Sequence, residues 1–172
     1  MRKWLVQLTL FSACMFLVSC NALTKKEPDI HGFVIERTEE TIFVVSKTPK
    51  DFSDHGGVKE FYDAIVLDGA PDDVAVGDEV RVWYKGPIRE SYPLGGSVGA
   101  LEIVETEQPE GAVLSRKEAV KRALENIHTG NFISIIDVSF DPETRTWNVA
   151  YKPIEYYDNE PPELTTVKVK DE

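Results

Sequence analysis

The sequence predicts a small β-barrel of OB-like type followed by a small α+β domain, one helix on a short antiparallel sheet. Three observations predict it. Residues 30–104 hold five short runs rich in Val, Ile, Phe and Tyr, separated by turn signals. Residues 116–128 carry apolar side chains at helical spacing behind a capping sequence. Residues 132–170 return to strand-like runs around an Asp-Pro turn. Five short strands in so little chain suit a closed barrel, because closure removes exposed edges. Another small barrel is the alternative.

The elements follow in order. IHGFVIERTEETIFVVSK reads as a hairpin, Ile30–Arg37 and Thr41–Lys47 around Thr38-Glu39-Glu40. TPKDFSDHGGVKEF, with Pro49, Gly56 and Gly57, is a loop. YDAIVLD, Tyr62–Asp68, is the third strand and GAPDD a turn. After Gly77-Asp78 comes an alternating strand, Glu79–Tyr84, with Val80, Val82 and Tyr84 on one face and Arg81, Trp83 and Lys85 on the other. The fifth strand is Ala100–Val104. An acidic linker, residues 105–111, carries Pro109 and Gly111.

In the second domain, residues 112–172, Ser115 and Glu118 form an S-x-x-E capping box, in which each side chain takes a free backbone N–H of the other. Ala119, Val120, Ala123, Leu124 and Ile127 line one face of a helix over Arg116–His128, and Gly130 stops it. Phe132–Phe140 and Thr146–Lys152 form a hairpin around Asp141-Pro142-Glu143-Thr144. A loop with three prolines leads to a last strand, Leu164–Lys170.

The N-terminus has a different layout. Arg2 and Lys3 precede fifteen uncharged residues, Trp4–Val18. A basic segment followed by an apolar one is the pattern of a secretory signal, and the run is shorter than the ~20 residues a spanning helix needs. Its end, Leu17-Val18-Ser19-Cys20, resembles the lipobox of bacterial lipoproteins. That resemblance implies a diacylglyceryl group on the Cys20 sulfur and cleavage between Ser19 and Cys20. Residues 1–19 are then the signal peptide and residues 20–29 the lipidated cysteine and a tether. Two acyl chains give stable attachment where one does not. Cys14 is discarded with the signal, so no disulfide and no free thiol are expected. The expected location is the extracytoplasmic face of a cell membrane.

Two further resemblances concern the domains. The opening strand at Gly32, the DAIVL strand, GDEVRVWYKGPI and ESYP make residues 30–104 similar to the YobA-like domain of unknown function, found in small lipoproteins of Gram-positive bacteria. It implies a location and a fold and no activity. The capped helix followed by a hairpin, Ala112–Lys152, resembles PepSY domains, which occur at cell surfaces and have been proposed to restrain peptidases. No catalytic residue carries over from either.

Charge narrows the partners. The chain carries a formal net charge of -11, and losing residues 1–19, with Arg2 and Lys3 and no acid, takes it to -13. Affinity for nucleic acid draws on Lys and Arg contacts to phosphates, so no nucleic-acid partner is expected. His31, His55 and His128 lie in separate elements at no metal-ligand spacing. Asp68, Asp72, Asp73, Asp78 and Glu79 crowd together without the EF-hand spacing, and Asp is favoured in turns on its own account. Ser91, Ser97 and Ser115 lie in no G-x-S-x-G turn. No catalytic residue, metal or cofactor is assigned.

The aromatics are the better guide. Trp83, Tyr84 and Tyr92 surround Gly86-Pro87, and Tyr151, Tyr156 and Tyr157 surround the last loop. Trp83 and Tyr84 are expected to fill cores. Tyr92, Tyr156 and Tyr157 are the candidate partner surface, since exposed aromatics make contact surfaces. The expected function is a non-catalytic module that binds or regulates an envelope protein or peptide, anchored to the membrane through lipid on Cys20. The alternatives are a small-ligand or metal-ion binding envelope lipoprotein, and a small hydrolase.

Overall fold

The computed structural model describes residues 26–127, 132–154 and 162–172. Five strands close a barrel in the order β1-β2-β3-β5-β4. They are β1 (Ile30–Arg37), β2 (Thr41–Ser46), β3 (Ala64–Asp68), β4 (Glu79–Arg89) and β5 (Leu94–Ile103). All neighbours are antiparallel except β3 and β5, which run parallel through Ile65–Asp68 and Leu94–Ser97. The second unit is α1 (Arg116–Asn126) on a three-stranded antiparallel sheet, β6 (Ile133–Asp141), β7 (Thr146–Pro153) and β8 (Thr165–Lys170), in that spatial order. A barrel followed by a helix on a short sheet is the predicted fold class.

Alternation along the strands sends Val34, Ile42, Val44, Ile65, Leu67, Val80 and Val82 into the barrel. The residues between them, Phe33, Phe43, Val45 and Ala64, point outward and are just as buried. The second unit covers them. A strand buried on both faces reads as a continuous apolar run, and IFVV and AIVL are such runs.

The α1 stripe lies in the same cluster. Ala119, Val120 and Ala123 are buried, and Leu124 and Ile127 pack beside them. Ile133, Ile135, Trp147, Val149 and Val169 of the sheet complete the cluster together with the barrel's outer wall. One core therefore serves the barrel wall and the helix-on-sheet unit. Polar links cross the same junction. Ser134 Oγ donates to the Ser46 carbonyl at 2.6 Å, and Lys152 Nζ donates to Glu60 at 2.7 Å. The capping box forms as predicted: Ser115 Oγ accepts from Glu118 N–H, and the Glu118 carboxylate accepts from Ser115 N–H.

Most strand boundaries shift by one or two residues from the sequence reading, and three differences have a local cause. The fifth strand starts at Leu94, not Ala100. Its first half, LGGSVG, reads as loop because glycine is depleted in strands. Space is tight at Gly99, where a Cβ would lie 3.0 Å from the Trp83 carbonyl oxygen. The fourth strand runs on past Tyr84 to Arg89, through Gly86-Pro87. Between Lys85 and Arg89 the β4–β5 register shifts, and such a bulge tolerates proline. The helix ends at Asn126, with Ile127 extended as its C-cap, and His128 and Gly130 lie outside the described residues.

Gly32 gives a direct test of barrel closure. A Cβ there would sit 1.8 Å from the Val45 carbonyl oxygen in β2. Backbone cannot yield as a side chain can, so Gly32→Ala is expected to cost about 1–3 kcal/mol through overpacking. A denaturant melt reads this, and a variant as stable as the parent would mean that β1 and β2 lie further apart.

Candidate partner-binding face

The loop between β2 and β3 and the turn between β4 and β5 bring three aromatic rings into a row. A two-residue bridge, Lys50 with Phe61, ties the loop back on itself. It sets Phe52 and Phe61 edge to face, centroids 5.6 Å apart. The Phe61 ring meets Tyr92 at 5.6 Å. The Tyr92 hydroxyl donates to the Tyr62 carbonyl at 3.1 Å, which fixes the ring at the surface. Phe52 stays 41% exposed and Tyr92 44%. Aromatic surface of this size open to water is the compositional mark of an interface.

Clefts flank the row. One of about 280 Å³ is lined by Phe61, Asp63, Ala64, Ser91, Tyr92 and Leu94. A smaller one of about 150 Å³ lies between Val58, Glu60, Phe61, Tyr62, Tyr92 and Ile154. Ile154 directly follows β7, so the second unit contributes to this face. Beyond Pro93 lies a larger cleft of about 360 Å³. Its apolar lining is Phe43, Val66, Pro93 and Phe132, and its polar edge is Glu36, Thr38 and Thr41. Phe43 and Phe132 meet edge to face at 5.7 Å. This cleft spans β2, β3, the β1–β2 turn and the β4–β5 turn, the region through which OB barrels take up ligands. That is analogy of place, not evidence of ligand. Elsewhere the outer wall of β1 and β2 packs against β6.

The predicted site residues fall as follows. Tyr92 is in the aromatic row. Tyr156, Tyr157, Ser19 and Cys20 lie outside the described residues. Tyr84 packs against the barrel core, as expected, and burial pushes its phenol well above the usual range. Trp83 is not in that core: it lies on the outer face of β4, and its indole N–H donates to the Lys26 carbonyl at 2.7 Å. Phe52 and Phe61 were not singled out from the sequence. The signal that could have found them is two aromatics in a loop otherwise made of Lys, Asp, Ser and Gly.

The crowded acids separate into roles. Asp78 is buried, accepts from Ala75 N–H at 2.7 Å and pairs with Lys117 at 2.9 Å. Glu79, also buried, is surrounded by an imidazole and two cations. His31 Nε2 lies 2.7 Å away, Lys47 Nζ lies 2.8 Å away, and Arg116 is in direct contact. The Arg116 guanidinium also stacks over the Phe33 ring, 5.1 Å from its centroid. Burial pushes the Glu79 carboxyl up, but hydrogen bonds and charge from Lys47 and Arg116 outweigh it and take it down to about 2. This group joins β1, β2 and β4 to the start of α1. Among the described residues no cluster of three His, Cys, Asp or Glu side chains is placed to hold a metal ion.

Comparison with known proteins adds one finding. Residues 31–105 match the family model described as "Protein of unknown function (DUF3221)". The match covers the five barrel strands almost end to end, from the second residue of β1 to just past β5. The helix-on-sheet unit lies beyond the DUF3221 match. Neither the curated proteins nor the solved structures yield a match to this chain.

Proposed function

We propose that the chain is a non-catalytic binding module held at the outer face of a membrane by lipid on Cys20, and that it takes a protein or peptide partner on the Tyr92 face. The observation that carries this reading is the row Phe52, Phe61, Tyr92, open to solvent and flanked by clefts from both units. A barrel of YobA-like kind and a PepSY-like second unit agree with a cell-surface role. Among the described residues no helix is long and apolar enough to cross a membrane; the proposed attachment is argued from the lipobox at Leu17–Cys20. The net charge of -11 supports a partner other than nucleic acid.

The two parts have separate tests. For the anchor, the mass of the mature N-terminus is expected to show Cys20 with a diacylglyceryl group, and Cys20→Ala to release the protein from membranes or leave it uncut. A Cys20→Ala protein that stayed on membranes at normal mature mass would end the lipoprotein reading. For the partner, chemical crosslinking on intact cells is expected to capture a dominant envelope protein. Tyr92→Ala is expected to lose that product; because it also removes the Phe61 contact and the hydrogen bond to the Tyr62 carbonyl, a cooperative melting curve is the control that the variant is folded. Undiminished capture would move the contact elsewhere.

The 360 Å³ cleft favours a second reading, a small apolar ligand, since its volume lies at the lower end for ligand sites. Native mass spectrometry of the purified protein separates the two readings.

A further inference from the structure

The chain just before β1 is not a free leash from Lys26 onward. Trp83 donates its indole N–H to the Lys26 carbonyl at 2.7 Å. Asp29 accepts from Tyr84 N–H at 2.7 Å, and its own N–H donates to the Val82 carbonyl at 2.9 Å. Lys26 Nζ closes the turn on the Asp29 carboxylate at 2.9 Å. These bonds lay Lys26–Asp29 along the outer side of β4.

Trp83 and Lys85 share that side of β4, because the extra residue at the neighbouring register shift is Gly99 of β5. Arg81, on the same side, is paired with Glu102. Gly86, Pro87, Gly99 and Ala100 are exposed around them. In a strongly acidic chain this patch has an indole, two lysines and small residues; its acids Asp29 and Glu102 are each paired, and Glu27 is exposed beside Lys26. Trp with Lys and Arg is the composition that settles at a lipid headgroup layer.

Reach decides where the patch sits. With lipid on Cys20, only six peptide steps separate the anchor from Lys26, about 20 Å at full extension. We infer that the outer face of β4 around Trp83, with Lys26 and Lys85, lies against an anionic phospholipid surface and sets the orientation of the whole protein on the membrane. This rests on the lipid-anchor reading above. It adds that the contact is made by a folded face and not by the acyl chains alone.

The test attaches the protein chemically, so that it does not depend on lipidation in the cell. Residues 20–172 include every described residue. In this chain the Cys20 thiol is the one cysteine and can be coupled to a maleimide phospholipid in vesicles of phosphatidylglycerol and phosphatidylcholine. Only Trp83 and Trp147 fluoresce as tryptophan, and Trp147 is 1% exposed. A nitroxide on the lipid headgroup is expected to quench a large part of the emission. Trp83→Phe is expected to abolish that quenching. Trp83→Phe with Glu125→Trp, which moves the probe to an exposed position on α1, is expected to leave it abolished. Lys26→Ala with Lys85→Ala is expected to weaken quenching of Trp83 on anionic vesicles. Unquenched Trp83, or equal quenching at positions 83 and 125, would overturn the inference. Failure of native lipidation would show instead in the mass of the mature N-terminus.

Discussion

Replacing Glu79 with Ala is expected to destabilise the protein by about 3 kcal/mol, at the lower end of the cost of breaking a buried ion pair. The carboxylate is 5% exposed and meets His31, Lys47 and Arg116. Its removal leaves the Lys47 and Arg116 cations facing one another across the junction of barrel and helix. The lower end applies because all three partners are themselves 19–34% exposed and regain some water. The same group makes stability depend on pH. Its carboxyl titrates at about 2 in the folded chain, below its ordinary 4.5. Its contribution is therefore fully present above pH 4.5 and is lost as pH falls through 2. A urea series across this range is expected to show stability falling towards acid, and Glu79→Gln to flatten the slope. A parent with no acid limb below pH 4.5 would contradict the assignment.

Asp171→Ala is expected to cost on the order of 3 kcal/mol, because it strands two buried donors at once, the Leu114 N–H and the Trp147 indole N–H. The Asp171 carboxylate is fully buried. It accepts from Val113 N–H, from Leu114 N–H at 2.8 Å and from the Trp147 indole at 3.3 Å, and it pairs with Arg145 at 3.1 Å. Burial pushes its carboxyl up, and the hydrogen bonds from Leu114 and Val113 outweigh that and hold it below the usual range. It ties β8 to the chain entering α1. Because barrel wall and second unit share one core, the loss is expected in a single transition, with Trp147 fluorescence and far-ultraviolet circular dichroism coinciding. A variant whose second unit melts first while the barrel persists would show two independent domains.

The strands of the barrel are legible where their side chains obey one rule. Val80 and Val82 alternate with polar neighbours, and the IFVV and AIVL runs announce burial on both faces. The Ser115–Glu118 box is legible because it is local. What escapes the sequence is tertiary. Gly95, Gly96 and Gly99 mark a strand only once the crowding around them is known. Asp78 and Glu79 look like turn acids until α1 delivers Lys117 and Arg116. Asp171 is one acid among many until Val113, Leu114 and Trp147 converge on it. Tyr92 was legible as an aromatic beside a proline, but its neighbours Phe52 and Phe61 are about 30 residues away or more and reach it only through the loop's fold.

The most direct measurement is site-resolved photocrosslinking on intact cells, with a photoreactive residue at position 92 and, in a second protein, at position 125 on α1. A single dominant adduct from position 92 that position 125 does not give is the predicted result. Equal adducts from both positions, or none above an unrelated control protein from position 92, would contradict a partner-binding face built on Phe52, Phe61 and Tyr92.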